Sequence, residues 1–166
     1  YDGSTWTATG DLPAARSLAS GCGTQTAGFA IGGKVPGDSA KAETYIFGGS
    51  SWTAAPSLPT ATGSMAAFGT TSAAAAAGGS TSFGPANAVN ASYEYNGSSW
   101  SAGENMNTAR NQSGSSEASP SSQGLAVGGN APPESALVES YNGTAWTEIA
   151  DLNVGRRDGG SGGVYT

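Results

Sequence analysis

Four tryptophans, Trp6, Trp52, Trp100 and Trp146, stand 46, 48 and 46 residues apart, and each carries the same neighbours. Five residues before each lies an aromatic: Tyr1, Phe47, Tyr95 or Tyr141. Asp2-Gly3, Gly48-Gly49, Asn96-Gly97 or Asn142-Gly143 follows that aromatic. Six residues after each tryptophan stands Leu12, Leu58, Met106 or Leu152, and ten after it Arg16, Thr62, Arg110 or Arg156. An apolar or small run then closes on Gly32-Gly33, Gly78-Gly79 or Gly128-Gly129. A 166-residue chain that keeps these landmarks in one phase is built from copies of one supersecondary unit. Such units bury their apolar faces on one another.

Each landmark has a structural reading. The aromatic, the Asn-Gly or Asp-Gly pair and the tryptophan form a hairpin, with the positive φ angles of a type I′ turn. The aromatic and the tryptophan then flank the turn on paired strands and pack together. Phe29-Ala30-Ile31 and Leu125-Ala126-Val127 are short buried strands ended by the Gly pair. The phase puts a third such strand at Ala73–Ala77, against the helical preference of alanine. Residues 17–23 and 64–70 make another strand, which gives four strands per repeat. Length varies mainly after the Gly pair, in loops 34–42, 80–90 and 130–136, where Pro36, Pro85, Pro132 and Pro133 fall.

Composition narrows the function. Gly supplies 27 residues, and only 11% are charged. This suits tight turns and close sheet packing better than a helical bundle. Disorder is the competing reading of so Gly- and Ser-rich a chain, and the phased aromatics oppose it. The formal net charge is −6 with no basic run, which disfavours nucleic acid. No apolar stretch is long enough to insert in a membrane. The single cysteine, Cys22, reads as a small packed residue, and no intrachain disulfide can form. Histidine is absent, which removes the commonest metal ligand and general base.

A hydrophobic run with a double Gly, an aromatic-Asp/Asn-Gly turn, a tryptophan and then Leu12-Pro13-Ala14-Ala15-Arg16 resemble the Kelch repeat. The tract Gly21-Cys22-Gly23-Thr24-Gln25-Thr26-Ala27-Gly28 is similar to one in the Gly/Ala/Thr-rich Kelch-like arrays of marine bacteriophages. The resemblance covers residues 1–166. It implies an all-β fold, a partial β-propeller of four-stranded antiparallel blades, with about 3.5 repeats of period about 47. Departures cluster in the second repeat, where Thr62 replaces Arg and Gly48 replaces Asp or Asn. A propeller needs four to eight blades, so the expected partners are further blades of a longer chain or other protein subunits.

The resemblance points to a non-enzymatic module: a phage virion or surface protein, such as a fibre, spike or decoration. It would display loops outside the cell to a host glycan or receptor. A bacterial Kelch-type scaffold that binds protein partners is the alternative. Copper-oxidase chemistry of the galactose oxidase kind needs His ligands, so no cofactor or metal is expected. Glycoside hydrolysis needs paired carboxylates in one cleft, whereas Glu43, Glu94 and Glu139 recur singly before each turn. Ion pairing or solvation is their expected state. Asp2-Gly3-Ser4-Thr5-Trp6 hints at a sialidase-like Asp-box, but Asp and Gly are adjacent in it. Arg16, Arg110 and Arg156, with Trp6, Trp52, Trp100 and Trp146, are expected to serve the architecture by stacking or bridging. Lys34, Lys41, Phe83 and Asn130, in the variable loops, are the candidate ligand surface.

Overall fold

A computed structural model describes the chain except residues 2, 38, 83–84, 117–119, 132, 160–161 and 164–166. It is all-β, with three four-stranded antiparallel sheets. The first holds β1 (Ser20–Thr24), β2 (Ala27–Ile31), β3 (Thr44–Phe47) and β4 (Trp52–Ala55). The second holds β5 (Ala66–Thr70), β6 (Ala73–Ala77), β7 (Ser92–Tyr95) and β8 (Trp100–Ala102). The third holds β9 (Gly114–Ser115), β10 (Gly124–Val127), β11 (Val138–Tyr141) and β12 (Trp146–Glu148). In each, strand order follows chain order. The only helical element among the described residues is a three-residue 3₁₀ turn, Pro85–Asn87. The alanine run is strand β6, paired on both sides. Four of its five residues are buried where only small side chains fit between sheets.

The aromatic and tryptophan of each repeat face one another across the hairpin. Phe47 pairs with Trp52, Tyr95 with Trp100 and Tyr141 with Trp146. Their ring centroids lie 5.1, 5.1 and 5.0 Å apart. The turn is not the expected type I′. Gly97 and Gly143 take positive φ, but Asn96 and Asn142 do not. Four residues, not two, separate the paired rings, so the asparagine caps the loop with its side chain. Asn96 Oδ1 accepts the N–H groups of Ser98 and Ser99, and Asn142 Oδ1 those of Thr144 and Ala145.

The first strands begin later than expected, at Ser20 and Ala66. Leu18 and Ser64 stop them from starting earlier, with φ of 54° and 60°. Gln112 and Asp158 share that left-handed backbone, at 56° and 52°. A series of main-chain bonds joins these positions. Ser64 N–H donates to Leu18 C=O at 2.8 Å, Gln112 to Ser64 at 2.9 Å, and Asp158 to Gln112 at 3.1 Å.

The Gly pairs make a second set of links. Gly33 N–H donates to Thr62 C=O at 3.1 Å, Gly79 to Arg110 at 2.9 Å, and Gly129 to Arg156 at 2.8 Å. Both residues of each pair have positive φ, and a Cβ on Gly32, Gly78 or Gly128 would collide with the same carbonyl oxygen. Only glycine lets successive repeats approach so closely. The side chain at the acceptor position is free to change, as Thr62 shows.

Two apolar joints hold the sheets face to face. In the first, Cys22, Phe29 and Ile31 meet Ala67, Ala74, Ala76, Tyr95 and Trp100. In the second, Ala66, Phe68, Ala75 and Ala77 meet Ala126, Tyr141 and Trp146. Leu58 plugs the first joint and Met106 the second. Trp100 and Trp146 are therefore 8% and 6% exposed. Trp52, with no described sheet against its face, is only half-buried. Trp6 departs from its siblings: it stacks on Tyr1 but is 86% exposed, with no described sheet against it.

Candidate functional site

The variable loops leave the sheets just after the Gly pairs, and the structure ties their first residues down. Lys34 bridges Ser17 and Ala40, Ser80 bridges Gly63 and Ala88, and Asn130 bridges Asn111 and Glu134. These short ladders extend each sheet by one step and bring the three positions together at one end of the array.

The candidate surface residues fall out as follows. Lys34 does not project from its loop: it is 1% exposed, and its Nζ donates to Ser80 Oγ at 3.0 Å and Ser82 O at 2.8 Å. Its ammonium ties the first sheet to the loop of the second, which offsets part of the cost of burying it. Asn130 is 6% exposed and its Nδ2 donates to Gln112 Oε1 at 3.4 Å. Lys41 is partly buried. Its N–H donates to Gly33 C=O at 2.8 Å, and its C=O accepts from Thr62 N–H at 3.3 Å. Phe83 lies outside the described residues. Lys34 and Asn130 line one small cavity of about 70 Å³ with Ser80, Asn111 and Gln112. Asn111 Oδ1 is buried there without a hydrogen-bond partner among the described residues. Below it, a polar cavity of about 270 Å³ runs along the first strands past Ser20, Ser64, Gln112, Ser115 and Asp158. Gln112 Nε2 donates to Asp158 Oδ1 at 2.7 Å.

The recurring carboxylates are each engaged. Glu43, half-exposed, pairs at 3.2 Å with Arg16, whose side chain is buried. A backbone hydrogen bond, helped by Arg16, holds the Glu43 carboxyl below its ordinary range, and burial opposes this. Glu139 pairs with Arg110 at 3.1 Å, and both side chains are fully buried. Its oxygens also accept from Asn107 N–H, Asn107 Nδ2 and Thr108 N–H, while Arg110 donates to Leu137 O and Ala126 O. Burial lowers the Arg110 pKa, and Glu139 opposes that most strongly. Glu94 accepts a short hydrogen bond from the Tyr141 hydroxyl across the second joint. Burial, and then that bond, push the Tyr141 phenol well above its ordinary range.

The recurring arginines serve the architecture unequally. Arg16 sits over the Tyr45 ring at 5.6 Å and donates to Tyr45 Oη and Gly32 O. Arg110 is the buried partner of Glu139, whereas Arg156 is exposed and donates to Val154 O. Among the described residues, no group of three or more His, Cys, Asp or Glu could hold a metal ion. No described helix is long and apolar enough to cross a membrane.

Sequence reading missed the left-handed series Leu18, Ser64, Gln112 and Asp158. Its members share a backbone shape and no side-chain chemistry, so only their fixed place two residues after Arg16, Thr62, Arg110 and Arg156 could have revealed it. The Glu94–Tyr141 bond was also missed, because it joins two repeats. Compared with known proteins, the chain matches no protein-family model and no curated sequence.

Proposed function

We propose that the three sheets are blades of a Kelch-like β-propeller array, and that the chain is a non-enzymatic structural and binding module. One observation carries this reading: fixed and variable parts separate cleanly within each repeat. Main-chain links, Gly pairs and aromatic joints recur from sheet to sheet. The connections β2–β3, β6–β7 and β10–β11 differ in length and sequence, yet all leave from equivalent points. A rigid frame carrying variable loops at one end is how scaffolds present recognition surfaces. The carboxylates support the same reading, since each is committed to a neighbouring guanidinium or hydroxyl.

The resemblance to bacteriophage arrays leads us to place the protein on a virion or other extracellular surface. There the loops would meet a host glycan or receptor, and further blades or subunits would complete the array. Lys34 and Asn130 would shape the loop bases from within, leaving the loop tips as the contact surface. The test replaces 35–39, 81–87 and 131–133 with short Gly/Ser linkers while keeping Lys34, Ser80 and Asn130. Circular dichroism should stay that of an all-β chain. Binding to a glycan array and to host cells should be lost. Unchanged binding would overturn the reading, and capture of protein partners alone would favour the scaffold alternative.

A further inference from the structure

The left-handed series and the first residues after the Gly pairs meet around the cavity of about 70 Å³, which is lined by one apolar residue, Leu18, and six polar ones. The main-chain N–H and C=O groups of those six, Lys34, Ser64, Ser80, Asn111, Gln112 and Asn130, are all engaged in main-chain hydrogen bonds within the frame. What the wall has left for a ligand is side-chain chemistry. Part of that is committed too, since Lys34 Nζ donates to Ser80 Oγ and Asn130 Nδ2 to Gln112 Oε1. Asn111 Oδ1 differs. Asn111 is 3% exposed, and this oxygen is buried with no hydrogen-bond partner among the described residues. Folded proteins pair the large majority of such oxygens, because an unpaired one has lost water and gained nothing in return. The donor that suits it comes from outside the chain.

The wall limits what that donor is. A cation would sit beside the Lys34 ammonium, and no carboxylate among the described residues lines the cavity to offset this. An anion would meet the unpaired Asn111 oxygen. A neutral group remains, one that donates to Asn111 Oδ1 and accepts from Ser64 or Ser80, and a hydroxyl does both. The space is that of about two waters, or of one hydroxyl with the carbon that carries it. Leu18, 37% exposed, adds an apolar contact for C–H groups. We propose that this cavity is a subsite for neutral carbohydrate, with a terminal sugar hydroxyl donating to Asn111 Oδ1. This rests on the recognition reading above and gives it a ligand class. Lys34, Ser80 and Asn130 begin the variable loops, so a sugar held among those loops reaches the cavity with its end. A peptide fits less well, because an extended peptide binds through its main chain, and the wall has no polar main-chain partners left for it.

The test uses the full chain on arrays of neutral glycans, acidic glycans and peptides. Neutral glycans should bind. The strongest is then measured by calorimetry beside forms that each lack one terminal hydroxyl. One of these should bind about tenfold or more weakly, because it leaves Asn111 Oδ1 unpaired again. Asn111→Leu should weaken binding of the intact glycan about as much, and the deoxy form should then lose nothing further. That variant exchanges an unpaired oxygen for apolar volume, so its urea midpoint should match or exceed the parent's. Equal binding of every deoxy form to the parent would overturn the proposal without any variant. So would an Asn111→Leu chain that binds as tightly as the parent. Binding only to acidic glycans or only to peptides would also overturn it, the second favouring the scaffold alternative. If loop exchange abolishes glycan binding and Asn111→Leu leaves it unchanged, the subsite is wrong and the proposed function stands. If binding survives loop exchange but not Asn111→Leu, the reverse holds. No binding to any neutral glycan would overturn the subsite and the glycan reading together.

Discussion

The two complete joints solve one packing problem with the same parts in different places. In the first, the large ring is Phe29 on β2, and Cys22 faces it across the ladder from β1. In the second, the ring is Phe68 on β5, and Ala75 faces it from β6. Phe29 lies 5.1 Å from Tyr95 and 5.6 Å from Trp100, centroid to centroid. Phe68 lies 6.2 Å from Tyr141 and 6.1 Å from Trp146. The opposite faces have adjusted to match. Gly124 makes way for Phe68, whose ring a Cβ would strike, while its counterpart in the first joint is Ala74. Glu94 meets Tyr141 where the first joint has Ile46. The repeat therefore specifies a volume to be filled between sheets and leaves open which strand fills it.

The comparison breaks most visibly if the ring is removed. Phe68→Ala should cost about 3–5 kcal/mol in urea unfolding. Phe68→Cys with Ala75→Phe and Gly124→Ala copies the first joint into the second and should recover much of that loss. No recovery would mean that the joints are not interchangeable. Gly124→Ala alone should cost about 1–3 kcal/mol by overpacking, and a double-mutant cycle with Phe68→Ala should show strong coupling. Additive effects would show that the glycine serves another purpose.

A smaller change sharpens the polar difference. Tyr141→Phe removes one part-buried hydrogen bond and should cost about 0.5–1.5 kcal/mol at neutral pH. Its sign should reverse in alkali. The folded phenol pKa is raised, so the protonated hydroxyl favours folding below the ordinary phenol value near 10, and that contribution is lost as pH climbs toward the folded value. Above about pH 10 the parent should lose stability relative to Tyr141→Phe. Parallel pH profiles would refute this. A comparable effect is expected at the Arg16–Glu43 pair, whose guanidinium is buried and whose carboxylate is half-exposed. Glu43→Ala should cost about 1 kcal/mol, since Arg16 loses a partly solvated partner but keeps Tyr45 and Gly32.

Much of the fold was legible because the signals were periodic. The Tyr95–Trp100 pairing, the strand end at Gly78-Gly79 and the strand at Ala73–Ala77 each gain weight from their siblings, which overrules local preference. The sequence was less informative where backbone or context decides. Nothing in Leu18, Ser64, Gln112 and Asp158 announces a common left-handed turn. A lysine in a Pro-bearing loop reads as a surface charge, yet Lys34 is buried because Ser80 and Ser82 of the next repeat receive it. Trp6 matches its siblings in sequence but not in burial, because burial depends on the neighbouring sheets. The Asn96 turn was misread because a favoured dipeptide was weighed without the four-residue span between the rings.

The left-handed series also bears on how such a chain can lengthen. Each link runs from one main chain to the next, so it makes no demand on which side chain either partner carries. A duplicated repeat inserted anywhere in the array would find a donor on one side and an acceptor on the other, already in register. Side chains would then be free to diverge, as Leu18, Ser64, Gln112 and Asp158 have. The heritable unit of growth is a whole repeat, coupled to its neighbours like a carriage to a train.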